Sequence, residues 1–97
     1  MGLDERIFVI REGMPIGYVE YSGSPMTEKL ERKYLREVET DIYKGYEEFG
    51  VKFTGELLNR ILKEFKDYEK NSLEQHLRDY FEKLGVKSND QVFVTAS

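Results

Sequence analysis

The chain has 97 residues and a formal net charge of −4, with 39% hydrophobic and 35% charged residues. This length and composition predict one α+β domain, residues 1–97, built around a single modest core. The absence of cysteine excludes disulfide scaffolds, thiol catalysis and cysteine-based zinc sites, and a single histidine excludes a multi-histidine metal centre.

The sequence shows no pattern of a membrane or secreted protein. Its longest run of large apolar residues is Ile7–Ile10, whereas a membrane-spanning helix needs about 18 apolar residues. The first residues include Asp4 and Glu5, at positions where a signal peptide carries basic residues. We therefore expect a cytoplasmic protein without membrane association.

Two segments near the N-terminus predict a β-hairpin. Arg6–Arg11 contains four consecutive β-branched or aromatic residues between charged flanks, which is typical of a central strand covered on both faces. Ile16–Tyr21 predicts the second strand, and Glu12–Pro15 between them has the composition of a turn. Gly17 inside the second strand indicates a bulge or a close approach by another backbone.

The next segment predicts one long helix. Ser24 is a suitable N-cap and Pro25 a suitable first helical residue, and Gly50 supplies a C-terminal stop. A helix of roughly 24 residues would be about 36 Å long. Its apolar stripe, with most members three or four positions apart, contains Leu30, Tyr34, Leu35, Val38, Ile42, Tyr46 and Phe49.

Two further helices and a last strand complete the predicted elements. Thr54 opens an amphipathic helix, and Ser72 with Gln75 forms a capping box at the start of the next one, which Gly85 ends. Gln91–Ala96 predicts the final strand. The order is β-β-α-α-α-β: a small three-stranded, mainly antiparallel sheet, with strands in the order second, first, last, packed with three helices.

The sequence contains no recognisable catalytic or metal-binding set. Glu37, Glu39 and Asp41 lie close together but alternate with basic residues, which is typical of a solvated surface. His76 stands alone on the third helix, and zinc requires three or four ligands. We therefore expect a protein that is not an enzyme and binds no metal or cofactor.

Two charged regions are candidate binding sites. The turn before the long helix, where backbone N–H groups are free to bind an anion, is a candidate site for a nucleotide-like ligand, although Ser24 capping its own helix also explains this turn. A basic face on the second helix is a candidate nucleic-acid site, but acidic residues interrupt it and the net charge opposes it. The anion site would use Ser22, Gly23, Ser24, Lys29 and Lys33; the basic face contains Arg60, Lys63, Lys66 and Lys70.

The leading functional hypothesis is a protein-interaction or inhibitor-type module that acts as a homo-oligomer. The long helix exceeds the length of strands of five or six residues, so a second copy would cover the excess about a two-fold axis. Tyr18, Tyr21 and Tyr43 are expected to be exposed and favour an interaction role. The size and composition also resemble those of phage or mobile-element proteins. The predicted self-association residues are Tyr34, Val38, Ile42, Tyr46 and Phe49.

Overall fold

The computed structural model describes residues 4–45, 48–65 and 71–97, and describes residues 39–45, 48 and 49 by their backbone only. The strands are β1 (Asp4–Arg11), β2 (Met14–Ser22), β3 (Glu39–Gly45), β4 (Glu48–Thr54) and β5 (Gln91–Ala96). The helices are α1 (Pro25–Lys29), α2 (Gly55–Glu64) and α3 (Leu73–Leu84). A π-helical turn (Leu30–Tyr34) and a 3₁₀ turn (Leu35–Glu37) continue directly from α1.

The strands form one antiparallel sheet in the order β2-β1-β5-β4-β3. The predicted α+β class is confirmed, and so is the neighbourhood of the second, first and last strands. The predicted number of three strands is wrong, because β3 and β4 extend the sheet beyond β5. The last strand therefore joins two hairpins, β1–β2 and β3–β4.

The predicted long helix does not exist. The helical segment ends at Glu37, and Val38 has an extended backbone with φ −90° and ψ 137°. Two physical causes favour strands beyond this point: residues 38–43 are rich in β-branched and aromatic side chains, and residues 49–53 alternate apolar with small or charged residues, the period of a strand. Apolar residues four apart fit a helix equally well, which is why the helical stripe seemed continuous.

The helices cover one face of the sheet. Ile7 and Val9 of β1 are fully buried, whereas Phe8 and Ile10, which point the other way, are only half-buried. The prediction that β1 is covered on both faces is therefore wrong. The buried residues of β1, β4 and β5 form one core with α2 and α3; its largest contributors from the two helices are Leu57, Leu58, Ile61, Leu62, Leu77 and Phe81.

The caps predicted at Thr54, Ser72 and Gly85 are confirmed, whereas Ser24 makes no side-chain cap and Gly50 lies in β4. The Thr54 side chain accepts a hydrogen bond from the backbone N–H of Leu57 at 3.3 Å, and Ser72 accepts one from Gln75 at the same distance. Gly85 ends α3 in the left-handed conformation, with φ 71°. The Gln75 side chain accepts from the N–H of Asn71, one residue before the position expected for a capping box.

Gly17 and Gly55 are both sites of close approach. The β1–β2 register shifts between Val9 and Ile10, so that β2 bulges beside Gly17, and a Cβ on Gly17 would collide with the Leu84 side chain. A Cβ on Gly55 would instead collide with the backbone carbonyl of Lys87. The bulge predicted at Gly17 is therefore confirmed, whereas the predicted close approach by another backbone is wrong, because the Leu84 side chain occupies that place.

We expect Gly55→Ala to destabilise the fold more than Gly17→Ala. The Leu84 side chain beside Gly17 can rotate away, whereas the Lys87 carbonyl beside Gly55 can move only with its loop. Gly55→Ala should therefore lower the free energy of unfolding by about 3 kcal/mol or more, and Gly17→Ala by about 1 kcal/mol. Urea denaturation of both variants measures this difference. Equal losses in the two variants would contradict the assignment of the tighter contact to Gly55.

Asp90 joins the loop before β5 to β1 and α2. Its buried carboxylate accepts from Arg11 Nε at 2.8 Å and Nη2 at 2.7 Å, and from the backbone N–H of Lys87 at 2.8 Å. Its backbone carbonyl accepts from the N–H of Gly55 at 2.8 Å. The hydrogen bond from Arg11 holds the pKa of Asp90 below its ordinary value of 3.8.

This lowered pKa predicts a specific pH dependence. The ionised Asp90 contributes its full stability above pH 3.8, and the contribution is lost as the pH falls through the lower folded-state pKa. We expect Asp90→Asn to lower the free energy of unfolding by about 2 kcal/mol at pH 7, and the difference from wild type should shrink as the pH falls toward 2. Urea titrations across this range provide the measurement, with Glu82→Gln, exposed on α3, as the control. A difference independent of pH would contradict the proposed pairing.

Candidate interaction surface

Three aromatic side chains lie side by side on the sheet face that the helices leave open. Tyr18 on β2 is opposite Phe8 on β1, and Phe8 is opposite Phe93 on β5. The ring centroids of Phe8 and Tyr18 are 4.8 Å apart. We call these three residues the aromatic row. Lys52 on β4 is opposite Phe93 and extends the row, with its Nζ 5.7 Å from the Phe93 ring centroid.

The aromatic row remains accessible. Tyr18 is 46% exposed, and Phe8, Phe93 and Lys52 are half-buried. Met14, near the β1–β2 turn, is 66% exposed. Isolated exposed apolar residues are common on protein surfaces, but adjacent aromatic rings on an open face are typical of an interaction site.

An ion pair borders the aromatic row on one side. Arg6 Nε donates to Glu20 Oε2 at 3.0 Å, and the Tyr18 hydroxyl donates to the same oxygen at 2.5 Å. The hydrogen bond from Tyr18, followed by that from Arg6, lowers the pKa of Glu20, while the bond to Glu20 raises the pKa of Tyr18. This corner of the surface therefore carries one positive and one negative charge and fixes the Tyr18 ring.

The predicted anion site is filled by a carboxylate of the chain itself. Glu5 on β1 is fully buried and accepts from the backbone N–H groups of Met26 at 3.0 Å and Thr27 at 2.8 Å. The hydroxyls of Thr27 and Tyr21 also donate to it. Burial raises the pKa of Glu5, an effect that these four hydrogen bonds oppose. Tyr21, predicted to be exposed, is half-buried for this reason.

The other predicted anion-site residues have local roles or lie apart. Ser24 makes no side-chain cap, and the Ser22 hydroxyl donates to Asp4 at 3.3 Å. Gly23 has φ 104° and forms the turn. Lys33 pairs with Glu64, and Lys29 lines a shallow groove beside α1. A free anion would therefore have to displace the Glu5 carboxylate to reach the N–H groups of α1.

The described part of the predicted basic face of α2 contains Arg60 and Lys63, and Arg60 is paired with a carboxylate. Arg60 donates to both carboxylate oxygens of Glu37, at 2.5 and 3.2 Å, and its guanidinium lies 5.4 Å from the ring centroid of Tyr34. Lys63 lines a groove of about 540 Å³ between α2 and α3. Lys66 and Lys70 lie outside the described residues. The remaining residues that line this groove are Asn59, Leu62, Arg78 and Glu82.

The predicted self-association stripe is divided among different parts of the fold. Tyr34 and Val38 are buried in the core of a single chain, so they are not available to a second copy. Ile42 belongs to β3 and Phe49 to β4, and the structure describes only the backbone of these two residues. Tyr46 lies outside the described residues, as does the side chain of Tyr43. The prediction of a dimer interface on one long helix is therefore wrong. Homo-oligomerisation itself stays a prediction.

Comparisons with protein-family models, curated proteins and solved structures found no match to this chain. Among the described residues, no group of three or more histidine, aspartate or glutamate side chains is placed to hold a metal ion. None of the described helices combines the length and the apolar character that crossing a bilayer requires.

We expect Glu5→Gln to lower the free energy of unfolding by about 1–3 kcal/mol, because the amide group leaves buried donors without an acceptor. Asp4→Asn, at the neighbouring position with only an exposed partner, is the matched control and should change stability by less than about 0.5 kcal/mol. Guanidinium denaturation at pH 7 compares the two variants. Equal stability of Glu5→Gln and Asp4→Asn would contradict the role of Glu5 at the start of α1.

Proposed function

We propose that this chain is a non-enzymatic protein-interaction module of the binding or inhibitor type, and that the aromatic row is the centre of its binding surface. The observation that carries this proposal is the position of Tyr18, Phe8 and Phe93 in adjacent strands on the open face of the sheet. Tyrosine and phenylalanine are enriched at the centres of protein interfaces, where they provide most of the binding energy.

The energetics of such a contact are favourable. Burying a large apolar side chain fully contributes about 1.5–3 kcal/mol, so covering a half-exposed ring contributes about 1 kcal/mol. The sheet holds the rings in place, and the Tyr18 hydroxyl is already bonded to Glu20, so little side-chain freedom is lost on binding. Three neighbouring rings therefore provide a preorganised centre for an interface.

Charge favours a protein over a nucleic acid as the partner. The net charge is −4, and Arg6, Lys33 and Arg60 each contact a carboxylate. Affinity for nucleic acids depends on cations that are available to phosphates. The small anionic ligand is also less well supported, because Glu5 fills its predicted site.

The test replaces two rings of the row. We expect the double variant Phe8→Thr, Phe93→Thr to remain folded, since threonine suits a strand and neither ring belongs to the buried core. Its retention of protein partners should fall at least about tenfold, because two central anchors are lost. Affinity capture from extracts of the native source, quantified by mass spectrometry, compares this variant with wild type.

The matched control is the charge-neutral double variant Asp79→Ala, Lys83→Ala on the exposed side of α3, which should retain the same proteins as wild type. Circular dichroism and thermal unfolding establish that both double variants are folded. Retention of the same proteins, in the same amounts, by the Phe8→Thr, Phe93→Thr variant would contradict the proposed function.

A further inference from the structure

We infer that the partner on the aromatic row is a second copy of this chain, packed sheet against sheet about a two-fold axis. This inference rests on the proposed function, since it uses the same surface, and it adds the identity of the partner. It requires that the surface be complementary to itself, that the nearest sheet edge be closed to strand addition, and that the area suffice for association.

The aromatic row is complementary to itself under one simple symmetry. A two-fold axis parallel to the strands, running between β1 and β5, places β1 over the partner's β5 and β2 over its β4. Residues that are opposite each other in neighbouring strands lie at the same position along the strand direction. The axis therefore places Phe8 over Phe93 of the partner subunit. Tyr18 lies over Lys52 of the partner subunit, which pairs a cation with an aromatic ring.

The neighbouring row of the sheet fits the same symmetry. This row contains Glu20, Arg6, Thr95 and Gly50 on β2, β1, β5 and β4. The axis places Glu20 over the partner's Gly50, which has no side chain to obstruct it, and Arg6 over the partner's Thr95. No two like charges face each other in either row, and the Arg6–Glu20 pair stays intact.

The β2 edge is closed at its centre, which favours association through the face. The Tyr80 hydroxyl of α3 accepts from the backbone N–H of Tyr18 at 2.9 Å and donates to its carbonyl at 2.9 Å. Leu84 packs beside Gly17 at the same place. Adding a strand at this edge would require both backbone groups of Tyr18, so strand addition beside the aromatic row would first have to break the two Tyr80 hydrogen bonds.

The available area predicts a weak and reversible dimer. Four strands about 4.8 Å apart and about six residues long present a face of roughly 20 × 20 Å, and two faces pack about 10 Å apart. Each face then covers about 400 Å², so the dimer buries about 800 Å² in total, which is the size of weak, transient contacts rather than of standard specific interfaces. We therefore expect a dimer that dissociates in the micromolar range or above and forms at high protein concentration.

The first experiment is sedimentation equilibrium of the wild-type chain from about 10 μM to 1 mM, a range that covers weak association. The expected result is a mass that rises from 11.5 kDa toward twice that value. Lys52→Glu should weaken the dimer on the order of tenfold, because its contact with Tyr18 occurs twice per dimer. The Asp79→Ala, Lys83→Ala variant is the matched control and should dimerise as wild type does.

A mixing experiment tests the symmetry itself. In Tyr18→Lys the introduced lysine faces Lys52 of the partner subunit, so this variant should be monomeric, as Lys52→Glu should be at moderate concentration. A mixture of the two variants should form a heterodimer, in which the introduced lysine faces the introduced glutamate once per dimer and the native contact is kept once. Native mass spectrometry distinguishes the heterodimer from either parent.

Three outcomes would overturn the inference. The first is a wild-type chain that stays at 11.5 kDa at 1 mM; the second is a dimer unaffected by Lys52→Glu and by Phe8→Thr with Phe93→Thr. The third is quenching of the tyrosine fluorescence of the chain by single-stranded oligonucleotides in the absence of a dimer, which indicates base stacking on exposed rings. If the wild-type chain is monomeric but the Phe8→Thr, Phe93→Thr variant still loses captured proteins, the dimer inference fails and the proposed function stands. If that variant keeps both the dimer and the captured proteins, the inference and the proposed function both fail.

Discussion

The buried carboxylate of Glu5 holds together the part of the molecule on which the rest is built. It belongs to β1, accepts the hydroxyl of Tyr21 on β2, and accepts the first free N–H groups of α1 from Met26 and Thr27. A buried carboxylate is tolerated only when such donors surround it. This requirement fixes the direction in which the chain leaves the hairpin, so that Leu30 and Tyr34 enter the core and the chain can turn back into β3.

Several local signals in the sequence predicted the structure correctly, although the expected Ser24 cap and Gly50 helix stop did not form. The caps at Thr54 and Ser72 and the stop at Gly85 depend on atoms within three or four residues of one another, so the neighbouring sequence is enough to specify them. The pairing of the last strand beside the first was also predicted, because an uninterrupted apolar strand needs a neighbour on each side. These elements carry most of the architecture that positions the open face.

Apart from the β1–β5 pairing, the features that depend on residues distant in the sequence were predicted wrongly. Val38 and Ile42, four positions apart, fit a helical stripe, but their β-branched side chains also suit strands, and pairing with β5 through β4 decides between the two. Nothing near Pro25 indicates that Glu5, twenty positions earlier, caps α1. The aromatic row was partly detectable: in β5 the polar Gln91 and Thr95 alternate with buried valines, which places Phe93 on the open face.

The position of β5 has a consequence for how the chain reaches this structure. β5 is the last strand in chain order, yet it lies between the two hairpins, so that Ile7 and Val94 become neighbours across the sheet. Pairing over so long a stretch of chain makes folding slow. While the chain is being synthesised, β1 and β4 each lack a partner on one side, and both hairpins expose the apolar faces that α2 and α3 later cover. The sheet is complete only once β5 has been made and its valines have entered the core, and until then β1 and β4 each present an unpaired edge to their surroundings.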